Sequence, residues 1–181
     1  SFAGQQETFL NIKGEANLIQ NVRHSWASLF TPRAIFYRVQ KHFDHFKVGL
    51  AIPVQLMVQS DVSGVMFTVD PLTSDKTTIV IEAIWGLGEL IVQGSVTPDH
   101  YVVDKTDFSI RQKTVIAQDK QLIKSGTDTK IMAVPQKLQK HQKLTDAQIQ
   151  TLAQIGHQLH QHYFFPQDIE WALEKGKLYI V

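Results

Sequence analysis

The chain has 181 residues, of which 43% are hydrophobic and 19% charged, the composition of a soluble globular protein that buries a core. Its 18 basic and 17 acidic residues leave a net charge of +1, which argues against nucleic acid and membrane surfaces as partners. The absence of cysteine excludes disulfides, thiolate metal sites and a cysteine nucleophile, and a cytoplasmic location is the default expectation.

The N-terminal part of the chain predicts a loop followed by two helices. After a loop through about Ile12, apolar residues recur at three- and four-residue steps from Glu15 to Phe30, as in an amphipathic helix. Thr31 and Pro32 end that helix and begin a second one, which we expect to continue to about Phe43. Both helices are interpreted as scaffold. The second is expected to bury Ile35, Phe36 and Val39.

Beyond residue 48 the pattern changes to apolar runs of strand length. Runs at 51–58, 64–70 and 77–85 predict three neighbouring strands and therefore a sheet. The first run carries one polar residue, Gln55, followed by Met57 and Val58. Backbone groups can read the edge of a purine while flexible apolar side chains enclose its ring, so this run is a candidate adenine pocket. A plain core strand is the alternative.

Two glycines, Gly86 and Gly88, follow the third strand and precede a short helical segment. Backbone N–H groups at a helix start attract phosphate, but this stretch matches neither the Walker loop nor the Rossmann fingerprint. We therefore interpret it as a turn of low specificity. Further strands are predicted at 97–103, 108–116, 121–124 and 130–134.

The sequence from Thr145 to Gln148 is typical of a capping box and predicts a last helix that runs to about Tyr163. The expected buried stripe of this helix consists of Ile149, Leu152, Ile155, Gly156 and Leu159. His157, His160 and His162 do not share one side of the helix and have no glutamate in the zinc-protease spacing. A solvated helix face is therefore favoured over a metal site.

The last fifteen residues predict a β-hairpin, because apolar and polar residues alternate through 168–173 and β-forming residues fill 177–181. Period-two geometry places Asp168 and Glu170 together on one face, while the residues between and after them fill the core. Adjacent carboxylates repel each other, and a hard divalent cation offsets that repulsion. The pair is thus a candidate Mg²⁺ site, with ordinary solvent-facing acids as the alternative.

The predicted hairpin also bears on the extent of the chain. With a three-residue turn that has Gly176 in the left-handed conformation, the residue opposite Glu170 would be the one after Val181. We therefore expect this chain to be a piece of a longer polypeptide.

Six stretches of the chain together are similar to one protein family. They are 1–12 (SFAGQQETFLNI), 53–58 (PVQLMV), 63–70 (SGVMFTVD), 86–94 (GLGELIVQG), 98–101 (PDHY) and 168–172 (DIEWA). In this order they resemble the ATP-binding region of phosphoenolpyruvate synthase and of the wider group that includes pyruvate phosphate dikinase and rifamycin phosphotransferase. The resemblance covers nearly the whole chain.

The resemblance implies an α+β fold of the ATP-grasp type, a mainly antiparallel sheet with flanking helices in which ATP lies between two lobes. Residues 1–181 would form one such domain, truncated at both ends. ATP and Mg²⁺ are the implied cofactors, and the phosphoryl groups would pass to a histidine on a separate domain and then, in the synthase, to pyruvate. A rifamycin phosphotransferase, a pyruvate phosphate dikinase and a non-catalytic nucleotide-binding module are the alternatives.

The resemblance also assigns roles to individual residues, none of them catalytic. The assigned residues are Gly4 and Thr8 on the phosphate side, Gln55, Met57 and Val58 at the adenine, Asp168 and Glu170 at the metal and phosphates, and Glu89 as a weaker candidate. Relatives also carry a lysine and an arginine in an N-terminal lobe, a Gln-x-Arg motif after the last strand and a phosphorylated histidine segment. None of these is matched here, so we expect this chain alone not to catalyse the whole reaction. The phosphohistidine and pyruvate-binding domains would belong to the same full-length chain.

Overall fold

The computed structural model describes residues 6–126 and 128–181. Contacts divide the chain into two compact units, one of residues 1–57 with 125–129 and one of residues 58–124 with 130–181. The fold is α+β with an antiparallel main sheet, as the sequence predicts. Among the described helices, none combines the length and apolar character needed to cross a bilayer.

The first unit contains two helices joined by a 3₁₀ turn. Helix α1 spans Glu15–Ala27, the turn spans Ser28–Phe30 and helix α2 spans Pro32–Gln40. Pro32 stands at the start of α2, where no backbone N–H is needed, and the Thr31 side chain caps the helix by accepting a backbone N–H at 3.4 Å. The helix start is therefore confirmed, whereas α2 is shorter than predicted.

The prediction for the buried face of α2 is wrong. The residues predicted to be buried are exposed, Phe36 by 67% of its surface, and they are Ile35, Phe36 and Val39. The buried residues of α2 are Ala34 and Arg38. Arg38 is held inside because its guanidinium donates to the Leu29 carbonyl and its Nε donates to His45 Nδ1 at 3.0 Å. A helical period identifies an apolar face, but it cannot establish that other residues of the unit cover that face.

Residues 51–58, predicted to be the first strand, are not part of any strand in the described chain. Pro53 lacks the N–H that a strand ladder requires, and Leu56 is 91% exposed. The prediction is wrong because β-forming composition favours an extended segment but does not supply a partner strand.

The second unit is built on an antiparallel sheet. Among the described residues the strands are β1 Val62–Phe67, β2 Thr78–Trp85, β3 Asp99–Asp104, β4 Ile110–Thr114, β5 Lys120–Ser125, β6 Asp128–Ala133, β7 Asp168–Glu174 and β8 Lys177–Ile180. The main sheet has the order β4-β3-β2-β1-β7-β8, and β5 pairs with β6 in a separate two-stranded sheet. The strands predicted from residue 64 onward are thus confirmed, with small changes at their ends.

Two helices accompany this sheet, the short α3, Glu89–Val92, and the long α4, Asp146–Tyr163. The predicted capping box of α4 is confirmed, because the Thr145 and Gln148 side chains each accept the other residue's backbone N–H. The residues that α4 buries are Ile149, Leu152, Ala153 and Gly156. A Cβ at Gly156 would lie 2.8 Å from Met66 Sδ, so the glycine lets α4 approach β1 closely.

Strands β7 and β8 form the predicted hairpin, but its loop has two residues rather than three. Lys175 and Gly176 have positive φ angles of 50° and 81°, the combination of a type I′ turn. In the resulting register Val181 lies opposite Glu170 and donates its N–H to the Glu170 carbonyl at 3.0 Å. The prediction that the residue opposite Glu170 would follow Val181 is therefore wrong.

Gly176→Ala is expected to lower the free energy of unfolding of the second unit by about 1 kcal/mol, because a Cβ disfavours the left-handed conformation. Gly88→Ala is the matched control, since Gly88 has a φ of −66° and its Cβ would meet only ordinary contacts. Urea unfolding of both variants measures the difference. Equal destabilisation by the two substitutions would contradict the role of the turn conformation.

Candidate functional site

The acidic pair lies on β7, on the face of the sheet opposite α4. Asp168 and Glu170 are both exposed, while Ile169 and Trp171 point into the core, as the alternation predicts. Same-face neighbours on a strand are about 6.5–7 Å apart, so the two carboxylates can converge on one small cation. Neither side chain has a hydrogen bond or an ion pair with another described residue. Both carboxylates are therefore available to a ligand.

The strand register brings further polar residues to the same face. Glu170 pairs with Val65, Val65 with Glu82, and Glu82 with His100, so the four residues form a row across β7, β1, β2 and β3. His100 Nδ1 lies 3.7 Å from Glu82 Oε1, and about a third of each side chain is exposed. No sequence motif singles out Glu82 or His100 as a site residue. The sequence feature that could have identified Glu82 is its charge within a mostly apolar strand.

The chemistry of the pair suits Mg²⁺ better than zinc. Among the described residues, no group of three or more His, Asp or Glu side chains is arranged around a common point. Zinc sites use three or four protein ligands, often nitrogen. Mg²⁺ is commonly held by one or two carboxylates together with substrate phosphates and waters. Asp168 and Glu170 fit that second pattern.

The interpretation of the histidines of α4 as a solvated face is wrong for His160. Its Nδ1 lies 2.9 Å from the hydroxyl of the buried Thr68. Burial, followed by the charges of Lys105 and His157, lowers the pKa of His160. His160 therefore belongs to the packing between α4 and the sheet, a role that no short-range motif indicates.

The predicted adenine segment spans the point in the chain where the first unit ends. Gln55 and Met57 belong to the first unit and Val58 to the second. Gln55 is exposed, whereas Met57 and Val58 are half-buried. Because residues 51–58 form no strand, their backbone donors and acceptors are not occupied by a ladder. Backbone groups outside a ladder can pair with another polar group, such as the edge of a base.

The remaining predicted residues lie apart from the acidic pair along the chain. Gly4 is outside the described residues, and Thr8 is exposed in an irregular stretch of the first unit. Glu89 is exposed on α3, where its Oε1 accepts a hydrogen bond from Gln93 Nε2 at 3.0 Å. Asp168 and Glu170 are thus the predicted site residues that the structure places side by side.

A polar cleft of about 510 Å³ opens elsewhere on the second unit, along residues 94–97 and 116–120. The amide of Gln118 is its buried polar group, and it is satisfied by the backbone of Trp85, with bonds of 2.8 and 3.1 Å. None of the predicted site residues lines this cleft. Because the Gln118 amide is already hydrogen-bonded, this buried group is not available to bind a ligand in the cleft.

Comparison with known proteins gives close relatives over the full chain. The chain is 49% identical to a protein of Methanocaldococcus jannaschii named probable phosphoenolpyruvate synthase, over all of this chain and 15% of that protein. It is 47% identical to phosphoenolpyruvate synthase of Pyrococcus furiosus, over all of this chain and 23% of that protein. It is 44% identical to rifampicin phosphotransferase of Bacillus cereus, over all of this chain and 21% of that protein.

The same relatives are much longer than this chain, which spans between 15% and 26% of the length of those it matches completely. A family model described as pyruvate phosphate dikinase, AMP/ATP-binding domain, matches residues 1–181. Because that match covers every residue, the chain belongs to the pyruvate phosphate dikinase AMP/ATP-binding domain family.

Proposed function

We propose that this chain is an ATP-grasp domain that binds Mg·ATP for phosphoryl transfer in a phosphoenolpyruvate synthase. The observation that carries the proposal is the exposed pair of Asp168 and Glu170, which share one face of β7 and have no partner among the described residues. Two exposed carboxylates on one strand face repel each other weakly in water, and a divalent cation that binds both replaces this repulsion with attraction. Membership of an AMP/ATP-binding family supports a nucleotide-bound cation as the missing partner.

We assign the predicted site residues to three roles, which are binding Mg²⁺, binding adenine and binding the phosphates. Asp168 and Glu170 would hold Mg²⁺, which when bound neutralises polyphosphate charge and aligns the attacked phosphorus. Met57 and Val58 would enclose the adenine ring, with Gln55 beside its edge. Gly4 and Thr8 would contact the phosphates. The roles proposed for this chain are thus positioning and electrostatic.

We further propose that the phosphoryl group passes to a histidine on another domain of a longer polypeptide and then to pyruvate. Support comes from the relatives named phosphoenolpyruvate synthase, which extend far beyond the matched region. The rifampicin phosphotransferase of Bacillus cereus, 44% identical, supports an antibiotic as the alternative acceptor. Two further alternatives are that the domain belongs to a pyruvate phosphate dikinase, or that it binds nucleotide without catalysing a reaction.

The acceptor is tested by incubating the full-length protein with Mg·ATP and either pyruvate or rifampicin. Pyruvate-dependent release of AMP and phosphate, with phosphoenolpyruvate as the product, is the expected result. Rifampicin-dependent AMP release would identify the antibiotic enzyme instead. A third mixture contains pyruvate and inorganic phosphate, and AMP release that needs both would identify a pyruvate phosphate dikinase. Nucleotide binding without AMP release in all three mixtures would identify the module without turnover.

Met57→Asp is expected to weaken Mg·ATP binding at least about tenfold in the full-length protein. A carboxylate beside the purine loses hydration without gaining a partner, and each tenfold loss corresponds to about 1.4 kcal/mol. Met57→Leu conserves volume and apolar character, so it serves as the matched control with near-normal affinity. Calorimetric titration measures both. Unchanged affinity in folded Met57→Asp would place the adenine pocket elsewhere.

A further inference from the structure

The pairing of β1 with β7 continues by one residue beyond its last strand pair, Phe67 with Asp168. The Thr68 N–H donates to the Gln167 carbonyl at 3.0 Å. In the opposite direction, the Gln167 N–H donates to the Thr68 hydroxyl at 2.7 Å instead of to a backbone carbonyl. A side-chain hydroxyl therefore completes the ladder immediately before Asp168.

The same hydroxyl also contacts α4. Thr68 is fully buried, and its Oγ1 lies 2.9 Å from His160 Nδ1. The hydroxyl proton has two acceptors within reach, the imidazole at 2.9 Å and the Gln167 carbonyl at 3.5 Å, and the shorter distance favours donation to the imidazole. Burial, with smaller effects from Lys105 and His157, lowers the pKa of His160 and so favours the neutral ring that accepts this proton.

The connection from α4 to the acidic pair is short. Residues 164–167 join Tyr163 at the end of α4 to Asp168 at the start of β7. Both backbone groups of Gln167 are held by Thr68, one by its N–H and one by its hydroxyl. Glu170, in contrast, pairs with Val65 of β1 on one side and accepts the Val181 N–H on the other. The two hydrogen bonds between Thr68 and Gln167 therefore affect the orientation of the Asp168 carboxylate more than the orientation of the Glu170 carboxylate.

We propose that Thr68 is a positioning residue for Asp168: its hydroxyl, oriented by His160, fixes the backbone at Gln167 and thereby the direction of the Asp168 carboxylate toward the metal. This inference rests on the Mg·ATP function proposed above. Thr68 faces α4 rather than the open face of the sheet, so it acts through Gln167 and Asp168 without touching the nucleotide. Removal of groups that orient metal ligands typically weakens metal affinity 10–100-fold.

The test measures Mn²⁺ affinity of the full-length protein by electron paramagnetic resonance, with a non-hydrolysable ATP analogue present. Thr68→Val keeps the buried volume but removes the hydroxyl, and it is expected to weaken Mn²⁺ binding about tenfold. Thr68→Ser keeps the hydroxyl and removes the methyl that lies near Gly156, so it should rescue Mn²⁺ affinity even where its Tm falls. If Thr68 serves packing alone, Thr68→Ser will bind Mn²⁺ no better than Thr68→Val, and the proposal is overturned.

His160 provides a second pair of variants that does not depend on the folding of Thr68→Val. His160→Asn places an amide oxygen near the position of Nδ1, whereas His160→Leu removes the acceptor. A several-fold loss of Mn²⁺ affinity in His160→Leu, absent from His160→Asn, is expected. Wild-type affinity in His160→Leu overturns the proposal.

Asp168→Asn separates failure of this inference from failure of the proposed function. If Asp168→Asn weakens Mn²⁺ binding while Thr68→Val does not, the metal assignment stands and the positioning role is wrong. If Asp168→Asn leaves Mn²⁺ affinity unchanged, the metal assignment is wrong and the positioning role falls with it. Weakening by both variants, with rescue by Thr68→Ser, supports the proposal.

Discussion

Asp168→Asn and Glu170→Gln are each expected to lower the rate of phosphoryl transfer from ATP by about 10²–10³-fold in the full-length protein. Each substitution keeps the shape of the side chain and removes one hard, charged oxygen ligand. Metal-ion stabilisation of charge at the transferring phosphoryl group is worth several kcal/mol, and each 1.4 kcal/mol corresponds to about a tenfold change in rate. Both residues are exposed, so folding should be little affected.

The measurement is formation of the phosphorylated protein from Mg·ATP without any acceptor, followed by intact mass after an alkaline quench. This readout does not depend on whether pyruvate or an antibiotic is the final acceptor. Glu174→Gln is the matched control, because Glu174 lies on the same strand and face but bonds to the Gln59 N–H at 3.4 Å. Near-wild-type rates in both Asp168→Asn and Glu170→Gln would show that the metal site lies elsewhere.

Lys143→Met is expected to lower the free energy of unfolding by about 3–5 kcal/mol. Lys143 and Asp99 are both fully buried, and their charged atoms are 2.8 Å apart. Asp99 also accepts the Tyr101 hydroxyl at 2.6 Å and the Ile116 N–H at 2.8 Å. Removal of the ammonium would leave a buried carboxylate without its counter-charge, which is the costly outcome for a buried pair.

Tyr101 contributes to this cluster as a permanent donor. Burial and the adjacent Asp99 carboxylate raise the pKa of Tyr101, so its hydroxyl keeps the proton that it donates to Asp99. The cluster thereby fixes the first residue of β3, next to His100 on the open face of the sheet.

The matched control for Lys143→Met is Lys113→Met. Lys113 pairs with Asp146 at 2.9 Å, but the two side chains are 38% and 58% exposed. An exposed pair of this kind contributes about 0–1 kcal/mol, so a small change is expected. Denaturant unfolding compares the two variants directly. A loss in Lys143→Met no greater than that in Lys113→Met would mean that the buried pair adds nothing beyond a surface contact.

The elements that the sequence predicted well are those whose signals lie within a few residues. Thr145 and Gln148 form their capping box across three positions of one helix, and the β7–β8 hairpin is indicated by alternation before the turn at Gly176 and by β-forming residues after it. The same alternation correctly separated Asp168 and Glu170 from the core. Local hydrogen bonding and period-two geometry were sufficient for these features.

The features that the sequence did not predict depend on contacts between distant parts of the chain. Glu82 and His100 reach the row of Glu170 through strand register, which short-range patterns do not specify. The segment 51–58 has strand-like composition but no partner strand in the described residues, so propensity alone misassigned it. Burial of Arg38 arises from its bond to the Leu29 carbonyl, which outweighs the usual exposure of arginine.

Because Trp171 is buried, its intrinsic fluorescence reports on the interior of the second unit without an added label. Tryptophan emission responds to the polarity around the indole ring, and Trp171 is 0% exposed whereas Trp26 is 51% exposed. Replacement of Trp26 by phenylalanine would remove the emission of the exposed tryptophan. The remaining emission would come from Trp171 and Trp85, both in the second unit. Because Trp171 follows Glu170 directly on β7, its fluorescence provides a label-free view of the strand that carries both carboxylates.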